Sequence, residues 1–504
     1  MTEFLGNLAD GFTVAGTLTN IGYCFLGVLL GTVVGVLPGV GPMATIAVLM
    51  PLTLGGDPAT SLIMLAGVYY GAQYGGSTSA ILINVPGEVS SAVTAIDGYQ
   101  MARKGRAGPA LATAAIGSFI AGTISTLVVA AFSPPLAALA TRFSSPEYFS
   151  LMVLGLVMAI ALAHGSPVKA LAMIVLGLLL GTIGQDITTG RLRFTLGQTE
   201  LADGSELFLA IVIGFFGISE IFRNLESPGT REVLLKRVGN LLPSRADIRR
   251  ITGPILRGTG LGSLLGILPG NGPVLASFTS YSVEKRISKT PEEFGKGAIE
   301  GVAGPESANN AGAQTSFIPM LTLGIPPSPV MALMMGAMVL NGIIPGPNVI
   351  SSNPGLFWGL IASMWIGNLM LVILNLPLIG LWVRLLSIPY KVLFPAIITF
   401  ACIGVYAVSS NPFHVYALAV FGLIGYLLVR LKCEPAPLLI GFVLSPLIEQ
   451  NLRRSLQVSR GDPMVFIERP ISAVLLGLAL VALVVVLLPF VAKRREKVFQ
   501  EDEL

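Results

Sequence analysis

The sequence predicts an all-α polytopic membrane protein of about 10 to 12 transmembrane helices, arranged as two inverted-topology repeats with broken, re-entrant helices. Three observations predict it. The composition is strongly apolar, a basic segment lies near the middle of the chain, and a Pro-Gly motif inside an apolar run occurs twice.

Of 504 residues, 53% are hydrophobic and 12% are charged, against roughly 25% charged in soluble domains. Mean hydropathy is +0.78. Apolar segments of about 20 residues, the length needed to cross roughly 30 Å of hydrocarbon, recur from Leu18 to Phe490. The 34 prolines and 59 glycines fall largely within these segments. Neighbouring helices can satisfy the backbone groups that such residues free. Cys24, Cys402 and Cys433 make no metal or redox pattern.

The N-terminus, MTEFLGNLADGF, has neither the basic start nor the cleavage site of a secretory signal, so the whole chain is expected to be mature. The first 30 residues contain Glu3 and Asp10 but no Lys or Arg, which puts this end outside. Eight basic residues lie between Arg223 and Arg257, and Arg103, Lys104, Arg106 and the Lys493 to Lys497 tail are basic too. Basic residues beside span ends mark the cytoplasmic side. The resulting division is a first transmembrane repeat, 1–225, a cytoplasmic linker, 226–252, a second repeat, 253–490, and a cytoplasmic tail, 491–504. These charges flank spans without interleaved aromatics, which argues against nucleic acid as a partner.

Aligning GTVVGVLPGVGP (Gly31 to Pro42) with GSLLGILPGNGP (Gly262 to Pro273) gives seven identities in twelve positions. Downstream, GGSTSAILINVPGE (Gly75 to Glu88) is echoed by GAQTSFIPMLTLGIPPS (Gly312 to Ser328). If one half enters from outside and the other from inside, the halves are inverted. Lys285, Arg286, Lys289 and Lys296 have no charged equivalent in the first half, and the side of Arg453 and Arg454 stays open.

LPG-x-GP cannot continue as a regular helix, because proline lacks an N–H and glycine adopts φ > 0. Broken backbone at membrane depth is tolerated where it is buried in protein or lines a cavity, so two matching breaks point to a site. Free helix N-termini suit a carboxylate, and free carbonyls suit a small cation. The alternative is a tight turn at the membrane surface. The candidates for substrate are Gly39, Gly41, Ser77, Thr78, Ser79, Gly270, Asn271, Gly272, Asn310, Thr315 and Ser316; for the coupling cation they are Pro38, Asn84, Pro269, Glu306, Asn309 and Gln314. Hydroxyls and amides can coordinate dehydrated Na⁺ or donate to a carboxylate without a permanent charge. They can equally pack helices together. Asn271 stands where the first copy has Val40, so it can contact ligand or cap a helix. Tyr69 and Tyr70 can be interface anchors. Glu306, in GPESANNAG, can bind a cation, carry a proton, or serve as a hydrogen-bonded carboxyl at a helix start. Glu88 and Glu220 read as interface groups, His164 and His414 as structural, and no metal site beyond possible Na⁺ is expected.

The doubled LPG-x-GP, GGSTSAILINVPGE and GPESANNAGAQTSFIPMLTLGIPPSPVMALMMGAMVLNGIIPGP together resemble the large membrane subunit of the tripartite tricarboxylate transporter family, from about Leu18 to Phe490. The resemblance implies a multi-pass protein of the bacterial inner membrane that imports carboxylates with a coupling ion. It also implies two partners, a small membrane subunit and an extracytoplasmic solute-binding protein. An elevator-like motion is the mechanism it implies, with Pro38 to Pro42, Gly75 to Ser79, Pro269 to Pro273 and Asn309 to Ser316 as motif positions. Secondary import coupled to Na⁺ or H⁺, with no other cofactor, is the resulting expectation. A passive anion channel without ion coupling is the alternative. An enzyme is not expected: H-E-x-x-H, G-x-S-x-G and G-x-x-x-x-G-K-[ST] are all absent from the sequence.

Overall fold

Proline starts helices here more often than it breaks them. It occupies the first turn of α3 (Pro42–Leu49), α4 (Pro58–Ile83), α8 (Pro167–Leu180), α15 (Pro329–Leu340), α17 (Pro354–Asn375), α20 (Pro412–Arg430), α21 (Pro435–Val458) and α23 (Pro470–Leu487), where its missing N–H costs nothing. Side-chain caps start others. Thr17 accepts from Asn20 N at the head of α2 (Leu18–Val36), and capping boxes Ser144/Glu147 and Ser244/Asp247 start α7 (Ser145–Leu162) and α11 (Arg245–Leu265).

This computed structural model describes residues 2–37, 41–163, 166–186, 188–202, 204–226, 241–386 and 390–488. Pro38 and Gly39 of the first motif, His164, most of the linker and the whole tail lie outside them. The remaining helices are α1 (Thr2–Ala15), α5 (Ala92–Arg103), α6 (Ala107–Ala140), α9 (Gly204–Val212), which runs through a π segment (Ile213–Ile218) into α10 (Ser219–Glu226), α12 (Gly272–Ile287), α13 (Glu300–Thr315), α14 (Phe317–Leu323), α16 (Val349–Ser352), α18 (Ile379–Leu385), α19 (Tyr390–Ser409) and α22 (Val465–Glu468). The expected all-α class has one small exception, a hairpin of β1 (Gly184–Gln185) and β2 (Leu192–Arg193).

Six helices among the described residues are long and apolar enough to cross a membrane: α2, α6, the continuous Leu207–Glu226, α17, α20 and α23. Their apolar surfaces differ. The α23 window is 17% buried and that of Leu207–Glu226 is 78% buried, so α23 presents Val474, Leu478, Leu480 and Val481 outward as lipid-facing surface. At the centre, α4 and α13 are buried along almost their whole lengths.

Each central helix is gripped by a glycine ridge. Gly27, Gly31 and Gly35 of α2 lie on α4, and a Cβ on any of them would strike the backbone of Met64, Val68 or Ala72. Gly258, Gly262 and Gly266 of α11 lie in the same way on Gly304, Ala308 and Gly312 of α13. Small residues every fourth position let membrane helices approach this closely. Peripheral pairing also recurs: α8 packs on α21, and α20 packs on α9 and its π continuation.

Charged residues gather at the helix ends. Arg106 pairs with Asp247 at 2.6 Å, Arg250 with Glu300 at 2.6 Å and Glu293 at 2.7 Å, and Lys104 donates to Lys296 O at 2.5 Å. The loop after α5, the head of α11 and the 288–299 loop therefore share one face, which joins Lys285 to Lys296 with the basic linker's end. Arg453 instead pairs with Asp186 at 2.9 Å, beside the hairpin.

Candidate functional site

The site is built where α4 and α13 cross α5 and α6. Glu306 is fully buried, and its two oxygens accept from different helices of the other half: Oε2 from Ser77 Oγ of α4 at 2.6 Å, and Oε1 from Thr94 Oγ1 of α5 at 2.5 Å. One turn on, Asn310 Nδ2 donates to Ser118 Oγ of α6 at 2.7 Å and to Glu306 O at 3.0 Å. Among the described residues no Lys or Arg is paired with Glu306. Hydroxyl donors alone hold it, which suits a carboxyl that exchanges a cation or proton.

Asn309 faces the same side of α13 as Glu306, three residues away. It is fully buried, and neither its Oδ1 nor its Nδ2 has a hydrogen-bond partner. Gln314 Oε1, Ser91 Oγ and Glu88 Oε2 are likewise shut off from solvent without partners. Buried polar side chains in native proteins are nearly always satisfied, and these four are exceptions.

The second break and the loop after α4 fold back onto the central helices. Gly270 N and Asn271 N both donate to Pro327 O, at 2.7 and 3.0 Å, which folds the second motif onto the loop after α14. Gly270 (φ 109°) and Asn271 (φ 76°) are left-handed, and Asn271 makes no side-chain cap bond to α12. In the first half, Gly87 packs against Gly35 and Gly76. The Tyr69 hydroxyl lies within hydrogen-bonding reach of Gln73 and Ser328, so the two loops meet beside α4. Tyr69 and Tyr70 are buried, not interfacial.

Other candidates stitch helices together. Ser79 Oγ donates to Gly76 O at 3.0 Å and reaches Gly35 O at 3.4 Å; Ser316 Oγ donates to Gly312 O at 2.7 Å and reaches Gly266 O at 3.2 Å. Thr315 Oγ1 donates to Ala311 O at 3.1 Å. Thr78 lines a cavity of about 10 Å³ with Tyr74, Ser77, Ser118 and Asn375, room for about one water. Asn84 is exposed and ends α4 in a left-handed conformation (φ 56°), away from this network. Gly41 and Gly272 begin α3 and α12, and Pro269 sits half-buried in the second break.

Sequence reasoning missed two acids. Asp97 of α5 is fully buried and accepts from Tyr281 Oη at 2.9 Å, Gly297 N at 2.7 Å and Ala298 N at 2.9 Å. It thereby secures the head of α13, one turn from Thr94. Glu88, expected at an interface, is half-buried, with its backbone N against Gly76 of α4. Glu220 pairs with Arg223 at 2.5 Å near a helix end. No local signal marked Asp97, because its partners Gly297 and Ala298 lie some 200 positions away.

Residues 21–440 match the Tripartite tricarboxylate transporter TctA family. The chain is 66% identical over 503 residues to an uncharacterized 52.8 kDa protein of the TAR-I region of Agrobacterium vitis, covering all of both chains. It is 67% identical over 242 residues, 48% of this chain, to the whole of a second uncharacterized protein from the TAR-II region of the same organism. No solved structure matches it. This chain therefore belongs to the TctA family: it is a multi-pass membrane protein and a transporter component, the large membrane subunit of a tripartite tricarboxylate transporter, and not an enzyme.

Proposed function

We propose that the chain imports a carboxylate, delivered by an extracytoplasmic binding protein and with a small membrane subunit as partner, across the bacterial inner membrane in symport with Na⁺, proton coupling being the close variant. The observation that carries this reading is Asn309, a buried amide with two unpartnered atoms beside a carboxyl held by both halves. Glu306, Asn309 and Gln314 take the cation. Ser77, Thr78, Asn310 and the break residues Gly39, Gly41, Gly270, Asn271 and Gly272 face the carboxylate, whose charge suits free backbone N–H groups.

The repeats 1–225 and 253–490 are read as inverted. The support is the duplicated glycine ridges, the matching Ser79 and Ser316 bonds, and the exchange of α8 on α21 for α20 on the α9 segment.

An elevator-like motion is supported by levels. Arg430 pairs with Glu226, at the start of the linker, at 2.8 Å, and Asn271 shares a small cavity with nearby Glu434. The linker's other end leads into α11, which extends about 30 Å from that break at 1.5 Å per residue. A cytoplasmic linker, as its basic residues imply, would set the broken-helix body nearer the cytoplasm than the outer helices, the offset that an elevator motion needs.

The test is uptake of radiolabelled citrate and dicarboxylates into proteoliposomes with the partner subunits present, under Na⁺ and pH gradients imposed separately. Uptake driven by either gradient supports symport. Flux that ignores both is the behaviour of a passive anion channel and rejects the reading.

A further inference from the structure

The loop after α4 carries a feature that its counterpart after α14 lacks. The loop 84–91 turns back onto α4, and a Cβ built on Gly76 would lie 3.0 Å from Ser91 Oγ and 3.2 Å from Glu88 N. Ser91 and Glu88 therefore share one wall of the fold, against the Gly75 to Ser79 turn. Ser91 is fully buried and its hydroxyl has no partner; Glu88 Oε2 is closed to solvent and has none either. Glu88 lies within hydrogen-bonding reach of the Gln73 side chain, whose Oε1 accepts from Ser90 Oγ at 3.0 Å, so its nearest side-chain donor is a neutral amide. From Tyr69 to Met101 the chain contains no Lys or Arg, and no ion pair to Glu88 exists among the described residues. In the second half Ser328 occupies the corresponding loop, and its hydroxyl is used to cap α15 through Met331 N at 3.3 Å.

We propose that Glu88 ligates a coupling Na⁺ in the loop after α4, with the Ser91 hydroxyl as a second oxygen ligand. The inference rests on the symport reading above and deepens it. Glu88 Oε2 and Ser91 Oγ are two unpartnered oxygens beside one turn of α4 with no basic neighbour; a proton would neutralise the carboxyl alone, whereas a cation uses both oxygens. Each half then contributes one carboxylate, Glu88 and Glu306, to a region that also admits an anionic solute. Without cations the two carboxylates repel that solute; with Na⁺ on Glu88 the repulsion is removed. The dependence is reciprocal, since solute and cation raise each other's affinity by the same factor.

The test is a NaCl titration of the purified full-length protein, at constant ionic strength with choline chloride, reading the rise in Tm. Na⁺ stabilises the wild type and choline does not. Glu88→Gln raises the half-saturating NaCl concentration about tenfold or more, Ser91→Ala raises it by a smaller factor, and Glu88→Asp recovers part of the loss. Because Tm in choline is recorded for each variant, a folding defect is separated from a binding defect. A wild-type NaCl response in Glu88→Gln, while Asn309→Ala or Glu306→Gln loses it, overturns the role of Glu88 and leaves the symport reading standing. No NaCl response in the wild type removes both the Na⁺ reading and this inference.

Discussion

The two broken-helix units, α2 with α4 and α11 with α13, share a mechanical design and differ in chemical content. Both use three glycines at four-residue spacing, and both tie the last ridge glycine to the central helix through one serine hydroxyl. Yet α13 carries Glu306, Asn309, Asn310 and Gln314, where α4 offers hydroxyls, tyrosines and one amide. The helix-to-helix geometry is duplicated, and the polar groups along the central helices are not. Substitutions in the shared geometry are therefore expected to act equally in the two halves, and substitutions among the polar groups unequally.

The largest effect is expected at the ridges. Gly31→Leu and Gly262→Leu each force a side chain into the backbone of a fully buried helix, at Val68 and Ala308 respectively. Each should destabilise the protein by about 3 kcal/mol, read as loss of monodisperse protein and a fall in Tm in detergent. A severe defect in one and none in the other breaks the equivalence.

Next in size is Glu306→Gln. It keeps the volume and one acceptor oxygen, and the hydroxyl that faces the new amide N can turn to accept from it, so Tm should shift little, while gradient-driven uptake falls at least about a hundredfold, as for a buried group whose charge change couples transport. Retained uptake would reduce Glu306 to a packing group.

How much of this could be read from sequence follows from the same comparison. The breaks at LPG-x-GP and the acid in GPESANNAG stand out because proline, glycine and a carboxylate violate the apolar pattern around them. The ridge spacing Gly27, Gly31, Gly35 and its copy Gly258, Gly262, Gly266 was present in the sequence too, as a doubled small-residue period. Glu88 and Asp97 were not legible: their burial depends on a loop folding back on Gly76 and on Gly297 and Ala298, some 200 positions away. The number of spans was obscured because α4 and α13 face protein on all sides, and a helix that avoids lipid need not be uniformly apolar.

A smaller paired effect is expected from Ser79→Ala and Ser316→Ala. Each removes one bridging hydroxyl, at about 1 kcal/mol, and the two Tm losses should agree; a large difference would show that one hydroxyl has a task beyond bridging.

The smallest effect is at the head of α11. Burial pushes the Asp247 carboxyl up, but hydrogen bonds from Arg106 and Ser244 outweigh it and hold it below the usual carboxylate range. With the folded value depressed, the stabilisation is fully present above the unfolded pKa near about 3.9 and is lost as pH falls through the folded value. Asp247→Asn should lower stability by about 1 kcal/mol at neutral pH, with the difference from wild type vanishing in acid. A difference that persists in acid would assign the effect to packing.

The central claim is that unsatisfied polar groups along the two central helices receive the coupling ion. A high-resolution map of the full chain in lipid nanodiscs, recorded in NaCl and again in choline chloride, tests it most directly. The account predicts density beside Glu306 and Asn309 in Na⁺ that is missing in choline. Identical maps, with the Asn309 amide hydrogen-bonded to protein atoms and no density beside it, would contradict it.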